Sequence, residues 1–162
     1  FVPDGDYVEV LRQHLPADAP ALTPGAVVTT GGEVIGAHDG FAGYTVGQRR
    51  RLPGGRSLPL YVLGVRPESR EEVVGTNEEL YGRAVTLAEC NWLAAPLAPG
   101  DRCQVQLRYR SQAVPAVVRS VRDASVTFDL DIAVRAIAPG QSGACYGEDE
   151  RLLGGGVIAS AA

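Results

Sequence analysis

The chain has 162 residues, 45% of them hydrophobic and 21% charged, with 20 Gly and 11 Pro. That size buries a real core in one domain or two small ones, and the composition excludes an intrinsically disordered chain. No apolar run reaches the roughly 18 to 20 residues of a membrane-spanning helix, and no signal peptide opens the chain, so a soluble, cytoplasmic protein is expected. Met is absent, and Phe1 therefore reads as the start of a piece of a longer product. All 15 basic residues are Arg, a bias that suits phosphate but that a GC-rich genome explains better. Against 19 acids they leave a net charge of −4, which excludes a uniformly nucleic-acid-binding surface and leaves room for a local basic face.

One segment reads as helix. Residues 4–15, DGDYVEVLRQHL, put Val8, Leu11 and Leu15 at helical spacing, with Asp4 or Asp6 as cap and Pro16 just beyond. After the loop PADAPALTPG, strand signals take over. Residues 27–30 and 33–37 flank Gly31-Gly32, which reads as a two-residue hairpin turn. Residues 60–65 and 72–75 read as a second pair around a turn at 67–70. The acidic stretch 68–80, ESREEVVGTNEEL, reads as a boundary, with Glu71-Glu72 and Glu78-Glu79 solvated. Six further strands follow at 85–92, 103–110, 115–121, 125–130, 142–146 and 152–159, at the spacing of a small closed barrel. The expected fold class is mainly β. A small central β domain with one N-terminal helix (1–78) precedes a C-terminal antiparallel β-barrel (79–162), the two meeting near residues 76–83.

The chemistry is sparse. Cys90, Cys103 and Cys145 are odd in number and widely spaced without a CxxC, so buried, inert thiols are expected rather than a disulfide framework. Adding His14 or His38 makes a nominal four-ligand set with no supporting spacing, and no metal site is expected. GxxxxGK[ST], GxGxxG and GxSxG are all absent. Gly154-Gly155-Gly156 runs into Val157 and Ile158 with no helix to follow, so it is no phosphate cradle. His38 and Asp39, adjacent in a strand, face opposite ways and form no relay. No catalytic residue is assigned.

Binding signals are stronger. In the strand 103–110, Cys103, Val105, Leu107 and Tyr109 share one face, while Gln104, Gln106, Arg108 and Arg110 share the other. Arg108 and Arg110 would then project two guanidinium forks about 6 to 7 Å apart, with Tyr109 anchoring the strand in the barrel. A second basic cluster, QRRRLPGGR at 48–56, falls in a Gly- and Pro-rich loop.

Four motifs occur in order: YTVGQRR at 44–50, LRYR at 107–110, APGQSGACY at 138–146 and LGGGVI at 153–158. Together they resemble the C-terminal half of bacterial tRNA-specific 2-thiouridylases (tRNA-uridine 2-sulfurtransferases, labelled methyltransferases in older usage). The resemblance runs along nearly the whole chain, from FVPDGDYVEVLRQHLP onward. It implies a parent enzyme with an N-terminal ATP site carrying ATP and Mg, a catalytic Cys, and a second Cys that takes sulfur from a persulfide donor protein of a sulfur relay. That enzyme adenylates the wobble uridine of tRNA at its C2 oxygen and replaces the oxygen with sulfur. This chain would start just after the persulfide Cys and hold the central domain and barrel alone, without ATP site or catalytic cysteine. Carried over to matching positions, tRNA contacts fall on Arg108, Tyr109 and Gln141, to which Arg110 and the motif residues Gln48 and Arg49 are added. The competing expectation is a stand-alone translation-type β-barrel that docks on protein, which the acidic net charge favours.

Overall fold

A computed structural model describes residues 7–52 and 59–162. They belong to two compact units, Phe1–Leu80 and Tyr81–Ala162.

In the first unit the expected helix is α1, Tyr7–His14, extended by a bond from the Leu15 N–H to the Leu11 carbonyl (2.8 Å). The proposed cap residues Asp4 and Asp6 lie outside the described residues. Four strands follow: β1 (Gly25–Thr29), β2 (Val34–His38), β3 (Tyr61–Arg66) and β4 (Glu71–Gly75), in the sheet order β2-β1-β4-β3. β1 runs antiparallel to β2 and parallel to β4, and β3 runs antiparallel to β4. The β1–β2 connection is longer than the two-residue turn read from Gly31-Gly32. The Thr29 N–H donates to the Glu33 carbonyl (2.9 Å), and the Gly32 N–H donates to Thr29 O. The Thr29 hydroxyl also accepts from the Glu33 N–H, which closes a wider loop. Only Gly32, at φ 84°, needs the left-handed freedom of glycine there.

The acidic stretch needs a larger correction. Residues 71–75 are the interior strand β4, and Glu72 is fully buried rather than solvated. The reason is the period of a strand: with β1 and β3 on both sides, Glu72 takes the same face as Val74. Glu71 points the other way and pairs with Arg66 at 3.0 Å. Val27, Val28, Val62 and Val74 form the buried apolar part of this unit's sheet.

The second unit is a closed barrel of order β10-β5-β8-β7-β6-β9. Its strands are β5 (Tyr81–Trp92), β6 (Arg102–Gln106), β7 (Val114–Arg122), β8 (Ser125–Arg135), β9 (Ser142–Tyr146) and β10 (Leu152–Ala161), antiparallel at every pairing. Alternation fills the interior: Val85 and Leu87, Cys103 and Val105, Ala116 and Val118, Val126 and Phe128, Cys145, and Ile158. The run Gly154-Gly155-Gly156 lies inside β10, where added Cβ atoms would strike the carbonyl oxygens of Asn91, Gly143 and Ala88. These glycines let three strands approach closely. The expected strand 103–110 is shorter than read: β6 ends at Gln106, and the chain turns immediately afterwards.

Candidate functional site

Alternation along β6 holds as far as Arg108. Cys103, Val105 and Leu107 are buried, while Gln104, Gln106 and Arg108 lie on the outer face. A tight turn then reverses the chain. The Ser111 N–H (3.1 Å) and hydroxyl (2.9 Å) both donate to the Arg108 carbonyl, and Arg110 adopts φ 63°. Arg108 and Arg110 therefore do not project from one strand face, and the spacing argument drawn from such a face does not hold. Tyr109 is no anchor either: it is 89% exposed, with the Arg110 guanidinium 5.2 Å from its ring centre. The alternation holds for the six residues 103–108, and a turn with no Gly or Pro in it ends the pattern.

The turn also has a geometric consequence. It places Arg108 and Tyr109 opposite the loop that enters β9, where Gly140 (φ 86°), Gln141 and Ser142 complete an open cleft of about 640 Å³. The adjacent pair Arg108-Tyr109 thus meets the sequence-distant Gln141. The Gln141 backbone is pinned through its carbonyl, which accepts from the Ile158 N–H at 2.7 Å, while its side chain is exposed.

Charge in the barrel unit sharpens the picture. It holds eight arginines against eight acids, and the net −4 of the whole chain falls on residues 1–80, with seven against eleven. Arg102 pairs with Asp131, Arg119 with Asp129 and Arg151 with Asp149. Neither Arg108 nor Arg110 has a carboxylate partner among the described residues. The cleft is therefore a local cationic patch on a unit of zero formal charge.

Gln48 and Arg49 belong to the first unit. The Gln48 amide donates to the Arg50 carbonyl (2.9 Å), and its own carbonyl accepts from the Val62 N–H, so it braces the loop. Arg49 is exposed, and Arg56 of the same basic cluster lies outside the described residues.

Cys103 and Cys145 are buried inside the barrel, whereas Cys90, expected to be buried with them, is only partly buried and packs against the barrel's apolar cluster. Cys103 and Cys145 hydrogen-bond to each other, and that bond together with burial drives the Cys145 thiol far up from its ordinary range. Burial also raises Cys90. The bond to Cys145 holds the Cys103 thiol below its ordinary range, but Cys103 is enclosed in the barrel core. Burial therefore makes Cys103 and Cys145 packing thiols, and the upward shift does so for Cys90.

The first unit holds what sequence reasoning missed. His38 is buried, its Nδ1 accepting from the Gly40 N–H (3.0 Å) and its Nε2 donating to the Arg70 carbonyl (3.1 Å). Both ring nitrogens are satisfied, and Tyr44 meets the ring edge-on at 5.9 Å between centroids. Glu72 is different. Neither of its oxygens has a hydrogen-bond partner among the described residues, and burial lifts its carboxyl to about 7. Burial and then the nearby Glu72 carboxylate push the Tyr44 phenol up as well. Glu79, by contrast, is held below the usual carboxylate range by the Thr76 N–H and the Thr30 hydroxyl, both at 2.7 Å.

Comparison with known proteins agrees with the fold. An aminomethyltransferase beta-barrel domain model matches residues 82–158, and a tRNA methyl transferase PRC-barrel domain model matches residues 9–76. The tRNA-specific 2-thiouridylase MnmA of Acidithiobacillus ferrooxidans is 44% identical over 160 residues, covering 98% of this chain and 44% of that protein. The enzymes of the same name from Roseobacter denitrificans and Acidobacterium capsulatum are 40% and 38% identical, again over 98% of this chain and 42% and 44% of theirs. The chain thus spans less than half the length of the relatives it matches. With domain models matched over residues 9–76 and 82–158, and relatives of a single name along 98% of its length, the chain belongs to the tRNA-specific 2-thiouridylase family.

Proposed function

We propose that this chain is the tRNA-holding, non-catalytic part of an ATP-dependent enzyme that thiolates the wobble uridine of tRNA at C2. The observation that carries the reading is the cleft, where Arg108, Tyr109 and Gln141 meet with the arginine charge unneutralised. A guanidinium fork takes a phosphate through two parallel bonds, an exposed phenol offers a stacking face, and a carboxamide serves sugar or base. Arg110, stacked on Tyr109, adds charge beside it.

The chemistry of sulfur transfer belongs elsewhere in this reading. Two observations support placing ATP, Mg and the reactive cysteines outside this chain: the run Gly154-Gly155-Gly156 is packed between strands, and Cys103 and Cys145 are buried in the barrel. The parent enzyme would supply the ATP site, both reactive cysteines and the surface that meets a persulfide donor protein. The setting is cytoplasmic, and no helix among the described residues is long and apolar enough to cross a membrane.

Titrating the chain with tRNA across a range of salt tests the cleft. Arg108→Ala should weaken binding by roughly 1 to 3 kcal/mol, the worth of a hydrogen bond to a charged group, and should lower the salt slope by about one. An Arg108→Ala, Arg110→Ala double variant with unchanged affinity and slope would reject the cleft as an RNA site, and salt-independent capture of protein instead would favour a docking module. The purified chain should turn over no ATP. Turnover abolished by replacing Cys90, Cys103 or Cys145 would overturn the non-catalytic assignment.

A further inference from the structure

We infer that the outer face of β6 and β9 carries a second subsite, continuous with the cationic cleft, that reads a base bearing an exocyclic amino group. The inference rests on the RNA-binding reading above and deepens it. Its starting point is register. Gln104 lies opposite Tyr146, and Gln106 opposite Ala144, so outward side chains of the two strands form one strip. The strip begins at Ser142 in the cleft and ends at Tyr146, four residues on, a span of about 13 Å. Ala144 presents only a methyl group midway and leaves a low floor.

At the far end the strip opens into a second cleft of about 520 Å³, lined by Gln104, Gln106, Gln112, Tyr146, Glu148 and Glu150. No arginine lines it, and two carboxylates stand at its rim, so a phosphate is repelled there. What remains is the chemistry of a base edge. Carboxylates only accept, and carboxamides both donate and accept. Cytosine, adenine and guanine each bring an amino group to such acceptors, whereas uracil brings none. The half-buried Gln104 amide has no partner among the described residues and is free to pair.

Gln106 joins the two subsites. Its Nε2 donates to the Ser111 carbonyl (2.6 Å), within the turn that carries Arg108. Its Oε1 accepts from the Tyr146 hydroxyl (3.2 Å), which fixes that ring at the edge of the second cleft. A phosphate held at Arg108 and a base held at Gln104 would thus engage one braced surface, with a single strand of RNA running along β6 and β9.

Single-stranded hexamers of cytidine and of uridine test this, because they carry equal charge and differ in the base edge. The 162-residue chain should bind the cytidine hexamer about 5-fold more tightly or better, the lower end of what one good base-edge pairing discriminates. Gln104→Ala, and separately Glu148→Gln, should bring the two affinities together with the salt slope unchanged and the melting temperature kept. Arg108→Ala should weaken both hexamers alike and lower the slope. Equal affinity of the wild-type chain for the two hexamers overturns the base-reading subsite, and the RNA-binding reading survives that result if Arg108→Ala still weakens both. If Arg108→Ala weakens neither, both readings fall.

Discussion

The two units solve the problem of an interior in different ways. The barrel closes on itself, and its interior is apolar apart from two free thiols, Cys103 and Cys145, that share a hydrogen bond. The small sheet buries two polar side chains, His38 and Glu72, among its valines. His38 is fully partnered there and Glu72 is not. Burial of a partnered polar group costs little, whereas a lone buried carboxylate must either take up a proton or destabilise the fold. The barrel thus keeps its polar groups on the outer wall, where the clefts are, and the sheet keeps one in a place that makes its stability depend on pH.

The largest effect that can sharpen this contrast is a cavity in the barrel. Phe128 is fully buried on β8 at the centre of the apolar cluster. Phe128→Ala should cost about 3 to 5 kcal/mol. Trp92, the single tryptophan, packs against the same cluster, so its fluorescence during urea unfolding reports this unit. A loss below 1 kcal/mol would show that the barrel interior is not the close-packed core described here.

Glu72 supplies the next effect, and its sign is fixed by where the carboxyl titrates. Its ordinary value is 4.5, and burial lifts it to about 7 in the folded chain. The folded state therefore holds the proton more tightly, and the stability tied to it is fully present below about 4.5. It is lost as pH rises through about 7, a total of about 3 kcal/mol at roughly 1.4 kcal/mol per pH unit of displacement. Glu72→Gln should flatten this dependence, and Glu72→Leu should raise stability at pH 8. Hydrogen exchange of the β4 amides between pH 5 and 8 reads it directly. Protection that does not fall over that range, or that falls equally in Glu72→Gln, would sink the assignment.

The same contrast explains what was legible. Most barrel strands could be read because alternation writes a closed, one-sided interior into the sequence, as in VTFDL at 126–130. The joining of Arg108, Tyr109 and Gln141 was legible only through the motif resemblance, since strand geometry alone sent Tyr109 inward. The turn at 108–111 escaped because its closure depends on a Ser111 side chain and a left-handed Arg110 rather than on Gly or Pro. Glu72 escaped because a pair of glutamates in an acidic run is normally solvated, and only the parallel pairing of β4 with β1 makes that strand interior. Sheet order is a long-range property that no local window contains.

The smallest effect concerns Arg110, where backbone and side chain pull in opposite directions. At φ 63° a residue with a Cβ is strained, by an amount on the order of 1 kcal/mol, and glycine is not. Against this, the Arg110 guanidinium over the Tyr109 ring contributes about 0.5 to 1 kcal/mol at an exposed site. Arg110→Ala keeps the strain and loses the stacking, so it should destabilise the barrel by up to about 1 kcal/mol. Arg110→Gly loses the stacking but relieves the strain, so it should be the more stable of the two variants. Both should lose the same RNA affinity, because both remove the same charge from the edge of the cleft. Chemical denaturation monitored at Trp92, run beside RNA titrations, separates the two contributions. If Arg110→Gly were instead the less stable variant, the left-handed turn would carry no strain. The position would then hold arginine for its charge alone.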